Sequence, residues 1–321
     1  MDFSKEMYLG GDANLWKVNT GTQLFNHILT FLHTTWGTNK SFFPGPQPCS
    51  IERKNFGTIK QGSYVVCEKT DGTRHVCVCT MYEGKKMCVL VTRNQDMYLV
   101  PINILRPMFT GTILDGELVK TNGPESQWLY MVYDCLMTEG VSCTQKSLTD
   151  RLKAAEVFVA GIMKLKKDPL VFKMKTFWAL KDFDGFQKTL DTFTYSTDGI
   201  VLTPVNEPIR SGTHETMFKW KPRDSNTIDF LFQRRDSTKW GMYVQEKGRL
   251  YFESELENDK LLEGTVEGSI VECQYVHWEI PRWWRPLNIR TDKTHPNNRR
   301  TFYRTIVNIS EDIKLDEFKK M

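Results

Sequence analysis

At 321 residues, 40% hydrophobic and 26% charged, the chain has the balance of a globular protein and exceeds the usual reach of one core, so two domains are expected and a disordered or fibrous chain is excluded. Its net charge of +4 admits an anionic partner without demanding one, and no basic arm or tail stands out. No apolar run approaches the roughly 18 residues of a membrane span, and residues 1–6 lack the apolar core of a signal peptide, so an intracellular, monomeric protein without membrane attachment is expected.

The first patterned stretch, Thr22 to Trp36, carries Leu24, Phe25, Ile28, Leu29 and Leu32 at helical spacing. His27 and His33 on it read as packing or surface residues. Pro44, Pro46 and Pro48 then break the helix. Residues 62–67 and 75–79 are rich in β-branched and apolar residues and read as two strands meeting at a Gly-containing bend, Glu68 to Arg74. Further strands are expected at 87–91, 97–100, 112–119 and 129–134, then helices from Ser147 and over Asp182–Phe193, then strands at 199–202 and 217–220. Beyond Ser225 the texture changes to short strands at 228–232, 241–245, 249–254 and 269–276, the spacing of a small barrel. An amphipathic helix with Ile313, Leu315 and Phe318 closes the chain over Ser310–Lys320. Of the eight cysteines, Cys67, Cys77, Cys79, Cys88, Cys135 and Cys273 sit in strand-like runs, which suits small buried thiols in a reducing compartment. With no Cys-x-x-Cys pair, no zinc site is expected.

The bend presents Lys69, Asp71 and Arg74 together at the end of a sheet. A free lysine amine, pKa about 10.4, is almost wholly protonated at neutral pH; as a nucleophile it needs neighbouring cations or desolvation. A solvated hairpin turn is the plain alternative. Asp115 and Glu117, Lys219 and Lys221, and Arg290 and Asp292 each lie two apart and face one side of a strand. Any one pair fits a salt-bridged rim, and paired carboxylates also suit a glycosidase, which leaves the lysines without a task.

In this order the stretches resemble the covalent nucleotidyltransferases, the mRNA capping guanylyltransferases and ATP-dependent polynucleotide ligases. Lys69-Thr70-Asp71-Gly72-Thr73-Arg74 is similar to their nucleophile motif, and Asp115-Gly116-Glu117-Leu118 to the third motif. The aromatic-Asp strand ending in Tyr133-Asp134, the stretches Thr197-Asp198-Gly199 and Lys219-Trp220-Lys221-Pro222, and Arg290-Thr291-Asp292-Lys293 follow in family order. The signature Phe43–Arg53 and the Trp-Lys-Pro at 220–222 favour the capping enzymes, closest to the compact chlorella-virus type. Asp198 stands where many relatives have Glu, and the bulky run Glu279–Arg285 departs from the pattern.

The resemblance implies an α+β fold. Residues 1–223 would form a nucleotidyltransferase domain of antiparallel sheets with flanking helices, and 224–308 an OB-fold β-barrel, with a C-terminal helix at 309–321 packing back on the first domain. It implies that Lys69 attacks the α-phosphorus of GTP, forming Lys69–GMP, and that the 5′-diphosphate end of RNA then takes the GMP to give a GpppN cap. Asp71 belongs to the catalytic motif. Lys219 and Lys221 would hold the α-phosphate and favour the neutral amine. Asp198 would hold Mg²⁺ or Mn²⁺. Arg74 and Glu117 would contact ribose, Tyr133 would stack on guanine, and Lys175 would donate to its O6. Arg290, Asp292 and Lys293 would come from the barrel, which closes to place Arg290 and Lys293 on the β/γ-phosphates. A separate RNA triphosphatase and cap methyltransferase, at a cellular or viral replication site, are the implied partners. Two alternatives stay open: a ligase using ATP, and a non-catalytic nucleic-acid-binding barrel stacking bases on Trp240, Trp283 and Trp284.

Overall fold

The computed structural model describes residues 2–39, 43–163, 168–258, 262–276, 284–291 and 293–321. The chain forms two compact units, residues 1–49 with 58–219 and residues 50–57 with 220–320. In chain order the elements begin with β1 (Phe3–Tyr8), β2 (Ala13–Val18), α1 (Gln23–Trp36), β3 (Pro46–Ser50), α2 (Phe56–Gln61), β4 (Tyr64–Thr70), β5 (Thr73–Tyr82), β6 (Lys85–Thr92) and β7 (Met97–Leu99). They continue with β8 (Thr112–Lys120), β9 (Trp128–Thr138), β10 (Val141–Ser142), α3 (Leu148–Ala160), β11 (Val171–Met174), β12 (Trp178–Ala179), α4 (Phe183–Gln187), β13 (Thr197–Pro204) and β14 (Gly212–Trp220).

One sheet of the first unit runs β1-β2-β7-β6-β5-β8-β9-β10, with β11 beside β9 as its parallel member. Both of its faces are covered, which is why β5 reads as an unbroken apolar run. Val76 and Val78 pack with Leu24, Ile28 and Leu32 of α1, whereas Cys77 and Cys79 point the other way, toward Leu114 and Phe158 of α3. α1 forms where its apolar stripe begins because Thr22 accepts the Phe25 N–H, and it stops at Gly37, whose φ of 62° suits glycine. Cys88 lies opposite Cys79 in the ladder, and with Cys77 their sulfurs fall within 4.8 Å of one another. Strand register, a long-range property, assembles these thiols without a Cys-x-x-Cys spacing; all eight cysteines are free and buried.

The second sheet of this unit runs β12-β4-β13-β14-β3. β4 and β5 therefore belong to different sheets, and the expected hairpin is instead a crossing from one sheet to the other. A Cβ on Gly72 at that crossing would sit 2.3 Å from the Leu118 carbonyl oxygen and 2.6 Å from a Val119 methyl, so no other residue fits without displacing β8. Arg151 of α3 pins β9 from behind, its Nε 2.7 Å from a buried oxygen of Asp134 and its Nη1 on the carbonyls of Lys146 and Glu207.

The second unit carries β15 (Thr227–Arg234), β16 (Lys239–Glu246), β17 (Arg249–Glu257), β18 (Ile270–Tyr275), β19 (Trp284–Ile289) and α5 (Arg299–Glu311). Their order, β17-β16-β15-β18-β19, is that of a five-stranded OB-type barrel. Phe230, Phe232, Trp240, Met242, Trp284 and Phe302 of α5 fill its core. Trp240 and Trp284 are thus packing residues and cannot serve as stacking platforms; Trp283 lies outside the described residues.

Two helices differ from expectation. The segment 182–193 is helical only at α4, flanked by short 3₁₀ turns, with Phe183 and Phe186 as its buried anchors. The C-terminal helix lies earlier, at α5, because Asp312 takes a left-handed φ of 43° and ends it; Leu315–Lys320 is a 3₁₀ turn. That segment packs with residues 50–57 and 220 and clusters with the barrel rather than with the first unit: Trp220 Nε1 donates to the Ile313 carbonyl at 2.8 Å, Arg53 meets Glu317 at 2.6 Å, and Trp220 lies edge-on to Phe318. β1, β2, β11 and β12 lacked a sequence signal, being short or half-exposed.

His75 ties β5 to β1. Its Nδ1–H donates to the Thr73 carbonyl, which leaves Nε2 to accept the Tyr8 hydroxyl, and Tyr8 in turn stacks on Tyr98. Burial depresses the imidazole from 6.5 to about 4. A depressed folded pKa means stability is full above 6.5 and is lost as pH falls toward 4, since only the unfolded chain takes up the proton in that window. The shift corresponds to about 3 kcal/mol. Urea melts between pH 7 and pH 4 should show the wild type losing stability more steeply than His75→Gln; parallel curves contradict a buried neutral His75.

Candidate functional site

A cavity of about 310 Å³ lies between the two sheets of the first unit. One wall is the inner face of the five-stranded sheet. Alternate residues of its strands reach the cavity: Cys67 and Lys69 from β4, Val201 and Thr203 from β13, Met217 and Lys219 from β14. The other wall offers Arg74 of β5, Glu117 of β8 and Tyr133 of β9. The sheet-to-sheet crossing at Asp71-Gly72 thus sets Lys69 and Arg74, five residues apart, on facing walls.

Lys69 Nζ lies 2.7 Å from Asp198 Oδ1, and both side chains are about one-fifth exposed. The contact depends on a bulge. Thr197 pairs with Thr70 and Gly199 with Lys69, so Asp198 is the extra residue, and Gly199 absorbs the irregularity at a φ of 148°. An oxygen donor of this kind at the edge of the cavity fits a hard divalent cation, which commonly takes one or two carboxylates and completes its shell with phosphate and water.

On the facing wall the Arg74 guanidinium grips buried Asp115 through Nε, 3.0 Å, and Nη2, and the Tyr133 hydroxyl donates to the same carboxylate at 2.8 Å. Burial opposes the Arg74 charge, but Asp115 more than offsets it and holds the guanidinium above its ordinary range. Burial likewise pushes the Tyr133 phenol up, so it stays neutral. The Tyr133 ring has Arg74 at 6.0 Å and Lys175 Nζ at 5.5 Å. Buried Lys175 donates to the Glu68 carbonyl at 3.0 Å, and its amine lies 3.7 Å from the Glu68 carboxylate, which also accepts the Tyr195 hydroxyl. Burial raises the Glu68 carboxyl, against the pull of Lys175. Thr70 donates to Glu117, bridging the two walls.

Lys69, Arg74, Glu117, Tyr133, Lys175 and Lys219 thus meet in one cavity, and Asp198 touches Lys69. Asp71 does not line it; its side chain is exposed and its N–H donates to the Ser196 carbonyl. Lys221 belongs to the second unit. Arg290 and Lys293 also belong to that unit, where both converge on Asp229, buried to 5% exposure, with Arg290 Nη1 at 3.2 Å. Asp292 lies outside the described residues. Sequence reasoning missed the lining residues Gln47, Arg93 and Phe177. Arg93, just past the end of β6 in the sheet that carries Arg74, is the one that strand position could have flagged.

Two family models match the chain: the mRNA capping enzyme catalytic domain over residues 16–223, and the mRNA capping enzyme C-terminal domain over residues 225–318. The mRNA-capping enzyme subunit alpha of Yarrowia lipolytica is 29% identical over 315 residues, covering 84% of this chain and 80% of that protein. The subunit alpha of Schizosaccharomyces pombe is 27% identical over 333 residues, covering 88% and 81%. The mRNA-capping enzyme of Danio rerio is 27% identical over 287 residues, covering 81% of this chain and 46% of its own length. These are fungal and animal proteins, so the likeness to a viral type rests on the motifs alone. The chain belongs to the mRNA capping enzyme family, with a catalytic domain followed by the family's C-terminal domain.

Proposed function

We propose that the chain is an mRNA guanylyltransferase that passes GMP from GTP to the 5′-diphosphate end of RNA through Lys69. The observation that carries this reading is the lysine itself: a nucleophile set beside a carboxylate, in a nucleotide-sized cavity ringed by Arg74, Lys175 and Lys219.

In the first step Lys69 Nζ attacks the α-phosphorus, the bond to the β-phosphate oxygen breaks, and pyrophosphate leaves. Lys69 reacts as the neutral amine, its proton given up to solvent, with Asp198, the carboxylate suited to a divalent cation, 2.7 Å away. In the second step a β-phosphate oxygen of the RNA attacks the same phosphorus, the P–N bond breaks, and Lys69 regains its proton. Charge grows on phosphate oxygens in both steps, and fixed cations already in place are what lower such barriers. Lys219, on the wall that carries Lys69, serves the α-phosphate, with Lys221 assigned to the same group. Arg74 and Glu117 serve the ribose. Tyr133, fixed by its bond to Asp115, offers its ring to guanine, and Lys175 its amine to the base edge. Asp198 would hold a Mg²⁺ or Mn²⁺ ion, which supplies further charge neutralisation at the phosphates.

Stacking on Tyr133 accepts any purine, so base choice rests on hydrogen bonds to the edge. Arg290 and Lys293, held side by side by Asp229, are assigned to the β/γ-phosphates, which are absent once GMP is on the enzyme. An RNA 5′-triphosphatase must supply the diphosphate end.

Labelling with α-labelled GTP should far exceed labelling with ATP; equal labelling, or ATP alone, moves the chain to ligase chemistry. Arg290→Ala should slow enzyme–GMP formation about a hundredfold to a thousandfold, while a preformed intermediate still passes GMP to RNA. Single-turnover rates decide it: equal slowing of both steps contradicts the assignment.

A further inference from the structure

We propose that the outer face of α5 is a binding surface for single-stranded RNA; this rests on the guanylyltransferase reading and names where that reaction's second substrate is gripped. α5 buries Phe302 and Ile309 and turns Arg300, Tyr303, Arg304 and Val307, spaced i, i+3, i+4 and i+7, outward. With Lys54 and Glu246 these residues border an open groove of about 530 Å³, lined wholly by the second unit.

Three features point to a polyanion that carries bases. The first is Tyr303, 48% exposed yet immobilised: the Arg299 guanidinium lies 5.4 Å from its ring centre and donates to its hydroxyl at 3.1 Å, and Arg299 is itself stacked on Tyr251 at 4.4 Å and paired with Glu253. A half-exposed aromatic held by neighbours on its buried side, with Phe302 edge-on at 5.3 Å, leaves the rest of its ring for an unpaired base to stack on. The second is the placement of Arg299 and Arg300 in the first helical turn, which has no acid. The macrodipole disfavours cations there, so these arginines stand against helix stability. The third is charge: with Lys54 and Glu52 paired to each other at 2.5 Å, Arg299, Arg300 and Arg304 outnumber Glu246 in the groove. The turn after Gln245, whose backbone pairs with residues 297 and 298, adds exposed Lys247 and Arg249. Arginines flanking a fixed ring serve phosphates and bases at once, whereas an acidic peptide has use only for the charges.

The test uses the full chain, GTP and a 5′-diphosphate RNA of about twenty nucleotides. Tyr303→Ala and Arg300→Glu should form enzyme–GMP at the wild-type rate, which also reports that they are folded. Their KM for RNA in the transfer step should rise about tenfold or more while kcat at saturating RNA stays put, and Tyr303→Phe should behave as wild type. The salt dependence of RNA binding should lose about one unit of log–log slope in Arg300→Ala. An unchanged KM in both variants overturns the proposal. So does a defect confined to the charge variants with Tyr303→Ala normal, which marks a general polyanion or acidic-peptide surface. Wild-type chain that never forms enzyme–GMP instead removes the guanylyltransferase reading.

Discussion

Between Thr70 and Thr73 the chain leaves one sheet and enters the other, and at Gly72 that passage is so tight against β8 that a single added carbon would meet the Leu118 carbonyl. Much of the catalytic unit depends on this crossing. It turns a local sequence of six residues into two facing walls, with Lys69 on one and Arg74 on the other. The Thr70–Glu117 hydrogen bond closes the same corner from within. A hairpin, the simpler outcome of the same residues, would have put Lys69 and Arg74 on neighbouring strands with water on one side.

Carboxylates organise the cations. Lys69 rests on Asp198, Arg74 on Asp115, Lys175 on Glu68, and Arg290 with Lys293 on Asp229. Of these acids Asp115, Glu68 and Asp229 are buried, which is costly unless they are paired. The arrangement holds each cation in a fixed place, and in the proposed reaction such preset charges would need little reorganisation. It also keeps a cavity rich in Lys and Arg from repelling itself apart.

The motif residues were legible because each stands on a strand of clear alternation or at its end: Lys69 after a run of apolar residues, Glu117 and Lys219 two places from a partner of like charge. Four of the five barrel strands and α1 were legible for the same reason, whereas β19 (Trp284–Ile289) was not expected. What local pattern does not carry is partnership. Nothing in residues 62–79 says that β4 and β5 join different sheets, since alternation gives a strand's faces and not its neighbours. The bulge that aims Asp198 is a register event of the same kind. Gln47, Arg93 and Phe177 come from irregular segments or strand margins, where no period marks which side chains turn inward. Of the C-terminal stripe, Ile313 and Phe318 are buried and Leu315 half-buried, but they lie in the segment and 3₁₀ turn after a left-handed Asp312, a break without glycine to announce it.

The central claim is that one amine, Lys69, carries the nucleotide between donor and acceptor. Peptide mapping of the enzyme after incubation with GTP and magnesium or manganese tests it most directly. The account predicts a single GMP adduct on Lys69, discharged by 5′-diphosphate RNA and absent from a folded Lys69→Arg chain, whose guanidinium stays protonated. An adduct on another residue, or full labelling of Lys69→Arg, would contradict it.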